Sequence, residues 1–256
     1  SAGVSCAIAV AIWLVVRDDP SERGYASFIS SDHIDKQPPK SLFSGLLSVF
    51  RYKNTWLLSI APMGVNGAIL AFAGLWGVPF FVTHYNLSPA RGAALTSLML
   101  IGWAMGGPIL GVLSDRIGRR KPLFVAGFVG ACIIWSIILF VPQVPIWLLT
   151  LLSFTVGFLT GAQIIGFAFV KESVPLSFAG TVTGVCNMGY MIGPMVLQPL
   201  MGWILDRHWA GGMVNGVKVY PLEAYHAAFI IMMIGLIFAV TLSCFTTETR
   251  CQQKTN

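Results

Sequence analysis

The sequence predicts an all-α, polytopic membrane protein with six full transmembrane helices. Hydrophobic residues make up 55% of the chain and charged residues only 10%, against about a quarter charged in soluble domains. Six long stretches, 55–83, 92–113, 122–141, 146–170, 180–205 and 227–245, contain no Asp, Glu, Lys or Arg. Each is long enough to cross a hydrocarbon core of about 30 Å as a helix. The cations also segregate. Threading the six spans through a bilayer puts Arg17, Arg23, Lys36, Lys40, Arg51, Lys53, Arg116, Arg119, Arg120, Lys121, Lys171, Arg250 and Lys254 on one side, and only Arg91, Arg207 and Lys218 on the other. The richer side is the cytoplasmic one by the positive-inside rule.

The elements follow in order. Residues 1–16 hold an apolar stretch of about 14 residues, roughly 21 Å as a helix and short of a full span; the chain opens on Ser1, and this stretch reads as the remnant of a transmembrane helix that begins upstream. Residues 17–54 are polar, with Pro38-Pro39 near the middle, and read as a cytoplasmic loop. At its end Leu42, Phe43, Leu46, Leu47 and Phe50 recur at helical spacing, an amphipathic helix for the membrane surface. The six spans occupy 55–245, with a tight turn at 142–145 and a longer loop at 206–225 that contains Gly211-Gly212. Residues 246–256 form a polar cytoplasmic tail.

Composition also excludes. A net charge of +6 would point to nucleic acid in a soluble chain, but here the cations sit in loops and the bilayer accounts for them, so no nucleic-acid partner is expected. Cys6, Cys132, Cys186, Cys244 and Cys251 make no C-x-x-C pair and read as packing residues, with no disulfide or metal site. Asn86-Leu87-Ser88 is formally a glycosylation sequon, but Pro89 follows it in a short loop. His33, His84, His208 and His226 lack ligand spacing, and no span carries a protease constellation, so neither an enzyme nor a cofactor is expected.

The chain repeats itself. Residues 102–116 aligned on 193–207 match Gly102/Gly193, Pro108/Pro199, Gly111/Gly202, Asp115/Asp206 and Arg116/Arg207. These are the second helices of two three-helix groups that cross the membrane in opposite directions, the pattern of inverted repeats.

Between the second and third spans stands Gly111-Val-Leu-Ser-Asp115-Arg116-Ile-Gly118-Arg119-Arg120-Lys121. Its G-x-x-x-D-R-x-G-R-R-K spacing resembles the signature loop of the major facilitator superfamily of secondary transporters, which joins the second and third helices of each six-helix half on the cytoplasmic side. The resemblance covers nearly all of the chain as a carboxyl-terminal half: the end of the sixth helix, the central loop, and the seventh to twelfth helices. Arg17-Asp18-Asp19-Pro20-Ser21-Glu22 is similar to the sixth-helix exit of organic-anion branches. The resemblance implies transport of a small polar organic solute by alternating access, in a cell (inner or plasma) membrane, with the missing amino-terminal half and the lipid bilayer as partners. It also implies a cytoplasmic conformational latch built from Gly111, Asp115, Arg116, Gly118, Arg119, Arg120 and Glu172, with the trio Asp115, Arg119 and Glu172 at its centre.

Polar residues at bilayer depth are costly unless they face a cavity or a partner helix. Asn66 and Gln163 are lone amides; Thr183, Asn187, Tyr190, Pro194 and Gln198 form one helical stripe. Asn66, Gln163, Asn187 and Tyr190 lie at similar depth on three helices and are the candidates for a common solute cavity, with helix–helix hydrogen bonds as the competing role. Spans 122–141 and 227–245 carry only scattered Ser and Thr and read as lipid-facing. A transporter-like sensor or interaction protein that keeps the fold without transport is the alternative function.

Overall fold

The computed structural model describes residues 2–16, 24, 42–214 and 216–254. Arg17, Arg23, Lys36, Lys40, His33, Pro38-Pro39 and the motif at 17–22 lie outside the described residues. Two compact units are present, residues 1–38 and 39–256. Within the first, α1 is a helix over Ala2–Val15.

The second unit holds the bundle. Helix α2 (Leu42–Val49) buries Val49 and leaves Leu47 58% exposed, as an amphipathic helix does. Among the described residues, six helices long and apolar enough to cross a membrane follow: α3 (Lys53–Tyr85), α4 (Pro89–Ile117), α5 (Lys121–Phe140), α6 (Ile146–Glu172), α7 (Leu176–Arg207) and α8 (Leu222–Cys244). The helices outrun the uncharged stretches. Asp115 and Arg116 thus form the last turn of α4, and Glu223 the first turn of α8, where a carboxylate meets the positive end of the helix dipole. The loop after α7 carries a short antiparallel hairpin, β1 (Met213–Val214) and β2 (Val217–Lys218), in register Met213 with Lys218, a small addition to the all-α architecture.

The packing bears out the inverted repeat. The principal helix pairs are α3 with α7, α4 with α6, α3 with α8, α5 with α6 and α5 with α8. Exchanging α3 with α6, α4 with α7 and α5 with α8 turns this set into itself. The correspondence reaches single residues. A Cβ on Gly102 of α4 would overlap the carbonyl oxygen of Phe154 on α6, and a Cβ on Gly193 of α7 would overlap that of Met63 on α3. Gly102 to Gly193 and Met63 to Phe154 are the same 91-residue step. Gly189 against Ser59 and Gly106 against Phe158 make the same kind of contact. Lipid tails are as apolar as the side chains, so helices in a bilayer associate through such close backbone approach and interhelical hydrogen bonds.

The first helix of each repeat is also broken. Helix α3 passes through a π turn at Phe72–Trp76, and α6 through a 3₁₀ turn at Gly161–Ile164. Each break leaves backbone carbonyls available to side chains of other helices, as tolerated in a span when neighbours re-satisfy them. Around the α3 break Phe72 packs edge-on against Phe80, Phe81 and Trp135, with ring centroids 5.0–5.9 Å apart, joining α3, α5 and, through Phe229, α8. Helices α5 and α8 keep apolar outer faces, with Ile133, Ile234 and Phe238 each more than half exposed.

Gly193→Leu is expected to lower the thermal stability of the detergent-purified protein by about 3 kcal/mol or to prevent its accumulation, because backbone and not a movable side chain occupies the space. Gly111→Ala, which meets nothing within 4 Å, is expected to leave stability unchanged. Thermal unfolding followed by tryptophan fluorescence compares the two.

Candidate functional site

The charged end of the bundle is built on the turn between α4 and α5. Gly118, with φ +68, closes α4 in the left-handed region; its N–H bonds to the Asp115 carbonyl at 3.1 Å and the Arg119 N–H to that of Ser114 at 3.3 Å. This is the glycine-dependent helix ending that β-carbons disfavour. Two residues later the chain enters α5, so Arg119 points to solvent while Arg120 turns under the bundle and is only 7% exposed.

That turn corrects the expected pairing. The guanidinium that joins the carboxylates belongs to Arg120, not Arg119. Arg120 Nη1 donates to Asp115 Oδ1 at 2.5 Å and to Ser114 Oγ at 3.2 Å; Nε and Nη2 donate to Glu172 Oε1 at 3.0 and 2.7 Å. Burial by itself lowers the Arg120 pKa, but the bonds to Glu172 and Asp115 outweigh it and raise the value further above the usual arginine range. Two nitrogens on one carboxylate oxygen and a third on another acid exploit the fixed fork of arginine, which a lysine could not reproduce. Arg116 and Arg119 remain exposed. Gly111 has room for a Cβ within this chain.

The carboxyl-terminal tail, read from the sequence only as polar, completes this end. Both oxygens of Glu248 accept hydrogen bonds from the first backbone N–H groups of α5: Arg120 N to Oε1 and Lys121 N to Oε2, each at 3.0 Å; Thr249 N and Arg250 N also reach Oε1. Helix α5 has no acid in its own first turn and no side-chain cap, so Glu248 satisfies its orphan donors from 127 and 128 residues away. Thr249 Oγ1 donates to Glu172 Oε2, Lys121 Nζ to Thr246 O, and Asn54 exchanges two bonds with the Thr247 backbone while reaching Ser173 Oγ at 2.8 Å. The tail thereby ties the ends of α3, α4, α5 and α6, and a cavity of about 500 Å³ lies beneath it, lined by Tyr52, Lys53, Glu172, Glu248, Thr249 and Lys254 among others. A detectable signal existed: an isolated acid in the tail, and a helix start at Lys121 lacking any cap of its own.

Three of the four interior candidates come together, but on each other. Asn66 Nδ2 donates to the Tyr190 carbonyl at 2.7 Å, Gln163 Nε2 to Asn66 Oδ1 at 3.3 Å, and Tyr190 Oη to the Gln163 carbonyl at 2.7 Å. Their exposures are 1%, 0% and 3%. The cluster therefore bridges α3, the break in α6, and α7, and is buried among the described residues. A buried amide takes the nearest partner because leaving it unpaired costs more than a hydrogen bond returns. Gln163 Oε1 alone in the trio has no partner. Further along the stripe, Gln198 Nε2 donates to the Leu70 carbonyl beside the α3 break at 3.1 Å. Asn187 stands apart, on the exposed face of α7 with Met188 and Met191. The reason is helical phase: the tight Gly189–Ser59 and Gly193–Met63 contacts turn Tyr190 inward and Asn187 out.

Burial raises the Glu248 carboxyl, but four backbone N–H groups, those of Arg250, Arg120, Lys121 and Thr249, outweigh it and hold the group below its ordinary value of 4.5. The tail's attachment through Glu248 is thus complete above that ordinary value and is lost as pH falls below 4.5 through the depressed one. A spin label at Gln252→Cys is expected to gain a mobile component only in that acid range, and in Glu248→Gln to be mobile already at pH 7. Equal mobility of the label in both proteins at pH 7 would contradict the tether.

Comparison with known proteins places the architecture. The chain is 28% identical over 207 residues to a probable nitrate/nitrite antiporter, NarK1, of Thermus thermophilus, covering 73% of this chain and 46% of that protein. It is 27% identical over 214 residues to the hexuronate transporter of Bacillus subtilis, with 82% and 42% covered, and 28% identical over 151 residues to the lysosomal dipeptide transporter MFSD1 of Danio rerio, with 59% and 32% covered. The chain thus spans about half the length, or less, of these curated relatives. The fold matches the inward-open xylose transporter XylE of E. coli with a TM-score of 0.59 at 16% identity, over 79% of this chain and 48% of that one. The model of the Major Facilitator Superfamily matches residues 1–188 and 67–255; this multi-pass membrane chain is a member of that superfamily.

Proposed function

We propose that this chain is the carboxyl-terminal half of a twelve-helix secondary transporter that moves a small polar organic solute across a cell membrane by alternating access, with the charged-loop end and the tail in the cytoplasm. The observation that carries the reading is the inverted-repeat bundle closed at one end by the Asp115–Arg120–Glu172 network, in a chain about half as long as relatives whose names describe transporters of nitrate/nitrite, hexuronate and dipeptide. A rigid half of this kind supplies one wall of a pathway, and its partner half supplies the other. Polar hydrogen bonds deep in the half keep that wall rigid, so motion is confined to the contact between halves. The network at the charged end serves as the latch, with Arg120 at its hub and Glu172 as the acid on α6. Of the interior candidates, Asn187 is the solute contact this reading favours, and Asn66, Gln163 and Tyr190 are its scaffold.

Joined to its amino-terminal half and placed in liposomes, the protein is expected to take up a hexuronate or a dipeptide from a panel that also holds nitrate, whereas the present chain alone takes up none; uptake of nitrate alone would overturn the organic-solute assignment. Arg120→Gln is expected to slow turnover about tenfold with half-saturation shifted less than about threefold, since a latch changes how often each state is visited; Arg119→Gln leaves both near wild type. Uptake by the isolated chain, or a hundredfold loss of affinity at unchanged maximal rate for Arg120→Gln, would defeat the reading.

A cysteine at Asn187 is expected to react with a small water-soluble maleimide in membranes, and saturating solute slows the reaction. A cysteine at Ile133, exposed on the outer face of α5, stays unreactive because thiolates form readily only where water solvates them. Asn187→Cys labelling no faster than Ile133→Cys would remove Asn187 from the pathway.

A further inference from the structure

The repeat that relates α4 to α7 extends to how the two helices end. Helix α4 finishes on Asp115-Arg116 and α7 on Asp206-Arg207, one 91-residue step apart and at opposite ends of the bundle. Asp115 takes a cation supplied by the chain that follows it, and so does Asp206: Lys218 Nζ and Tyr220 Oη both donate to Asp206 Oδ1 at 2.8 Å. The β1–β2 hairpin brings Lys218 back to that point by pairing it with Met213. The helices joined also correspond. At the charged-loop end the cluster ties α4 to α5 through the connecting turn and to α6 through Glu172. At the other end Tyr220 packs against Trp76 of α3 and Tyr225 of α8, with ring centroids 6.3 and 6.2 Å away. Exchanging α4 with α7, α5 with α8 and α6 with α3 maps one junction onto the other.

We infer that Asp206, Lys218 and Tyr220 form a second conformational latch, at the membrane face opposite the Asp115–Arg120–Glu172 latch, as positioning residues that bias which face of the transporter is closed. The inference rests on the transporter reading above and adds a site to it. Its physical basis is geometric. When a rigid half rocks against its partner, one end closes as the other opens, so groups fixed at opposite ends of the half act on the same equilibrium with opposite sign. Asp206 and Lys218 have side chains 52% and 41% exposed, accessible to an approaching partner half, and an ion pair of this exposure is weak enough to exchange partners during a cycle. A simple tether for the 208–221 loop would instead change only the motion of that loop.

The test measures both faces in the complete transporter in nanodiscs, by pulsed electron-spin distances from Gln252→Cys, at the charged-loop end, or Gln143→Cys, at the other, to a label on the same face of the amino-terminal half. Asp115→Asn is expected to raise the fraction open at the charged-loop face, and Asp206→Asn the fraction open at the opposite face, each about two- to fivefold, as expected for a half-exposed pair. The double variant returns the ratio to near wild type. Tyr220→Phe, which keeps the ring and removes one bond, shifts the ratio in the direction of Asp206→Asn by less, and the Asp206→Lys, Lys218→Asp exchange restores it. A shift with Asp115→Asn but none with Asp206→Asn and Tyr220→Phe, or shifts of the same sign from the two aspartates, overturns the second latch alone. A wild-type protein showing one distance at each face, unmoved by either substitution, overturns the alternating-access reading together with it.

Discussion

The bundle depends on backbone lying against backbone. At Gly102 on Phe154 and at Gly193 on Met63, no side chain separates the two helices, so α4 meets α6 and α7 meets α3 backbone to backbone. In a bilayer this close packing replaces the hydrophobic drive that assembles soluble cores. It also sets the rotational phase of α7. With Gly189 and Gly193 turned to α3, Tyr190 points inward and the methionines at 188, 191 and 195 outward.

The polar interior follows from that phase. Once α7 is seated, the hydroxyl of Tyr190 lies on the carbonyl of Gln163 and its own carbonyl lies before Asn66. The Gln163 carbonyl lies in the irregular turn of α6, and the Tyr190 carbonyl stands four residues before Pro194, which has no N–H to claim it. Three such bonds, each worth about 0.6–2 kcal/mol in a membrane, add stability modestly but fix the relative position of three helices closely. Irregular turns in α3 and α6 are therefore anchoring points as much as weaknesses, and Gln198 uses the Leu70 carbonyl in the same way.

Charge is confined to the ends, because a charge at bilayer depth carries a cost that only a partner or water relieves. The two ends differ in strength. Arg120 is nearly buried and serves two carboxylates, while Lys218 and Asp206 form a half-exposed pair. The tail adds to this asymmetry: Glu248 caps α5 and Thr249 meets Glu172, so the charged-loop end is braced across four helices by residues that follow the last span. The two ends of the bundle are therefore held with different strength, one braced and the other lightly tied.

The sequence by itself determined the number of spans, the all-α class and the inverted repeat, because each rests on local or periodic signals. A run of uncharged residues must be helical to satisfy its own backbone in lipid, and Gly102, Pro108 and Asp115 recur with Gly193, Pro199 and Asp206 at one offset. The family resemblance also put Asp115, Arg119 and Glu172 at the centre of one end, and there the sequence chose the wrong neighbour: Arg120 does the bonding. Arg119 and Arg120 are equivalent in composition, and only the left-handed turn at Gly118 decides that Arg120 faces inward. Asn66, Gln163, Asn187 and Tyr190 share a depth in the sequence, but depth is a coordinate along a helix and says nothing of rotation about it. Rotation is set by contacts between residues about 130 apart, such as Gly189 with Ser59 and Gly193 with Met63. The capping of α5 by Glu248 has the same origin: the need for a cap is local, but the group that meets it arrives only when the whole bundle has closed.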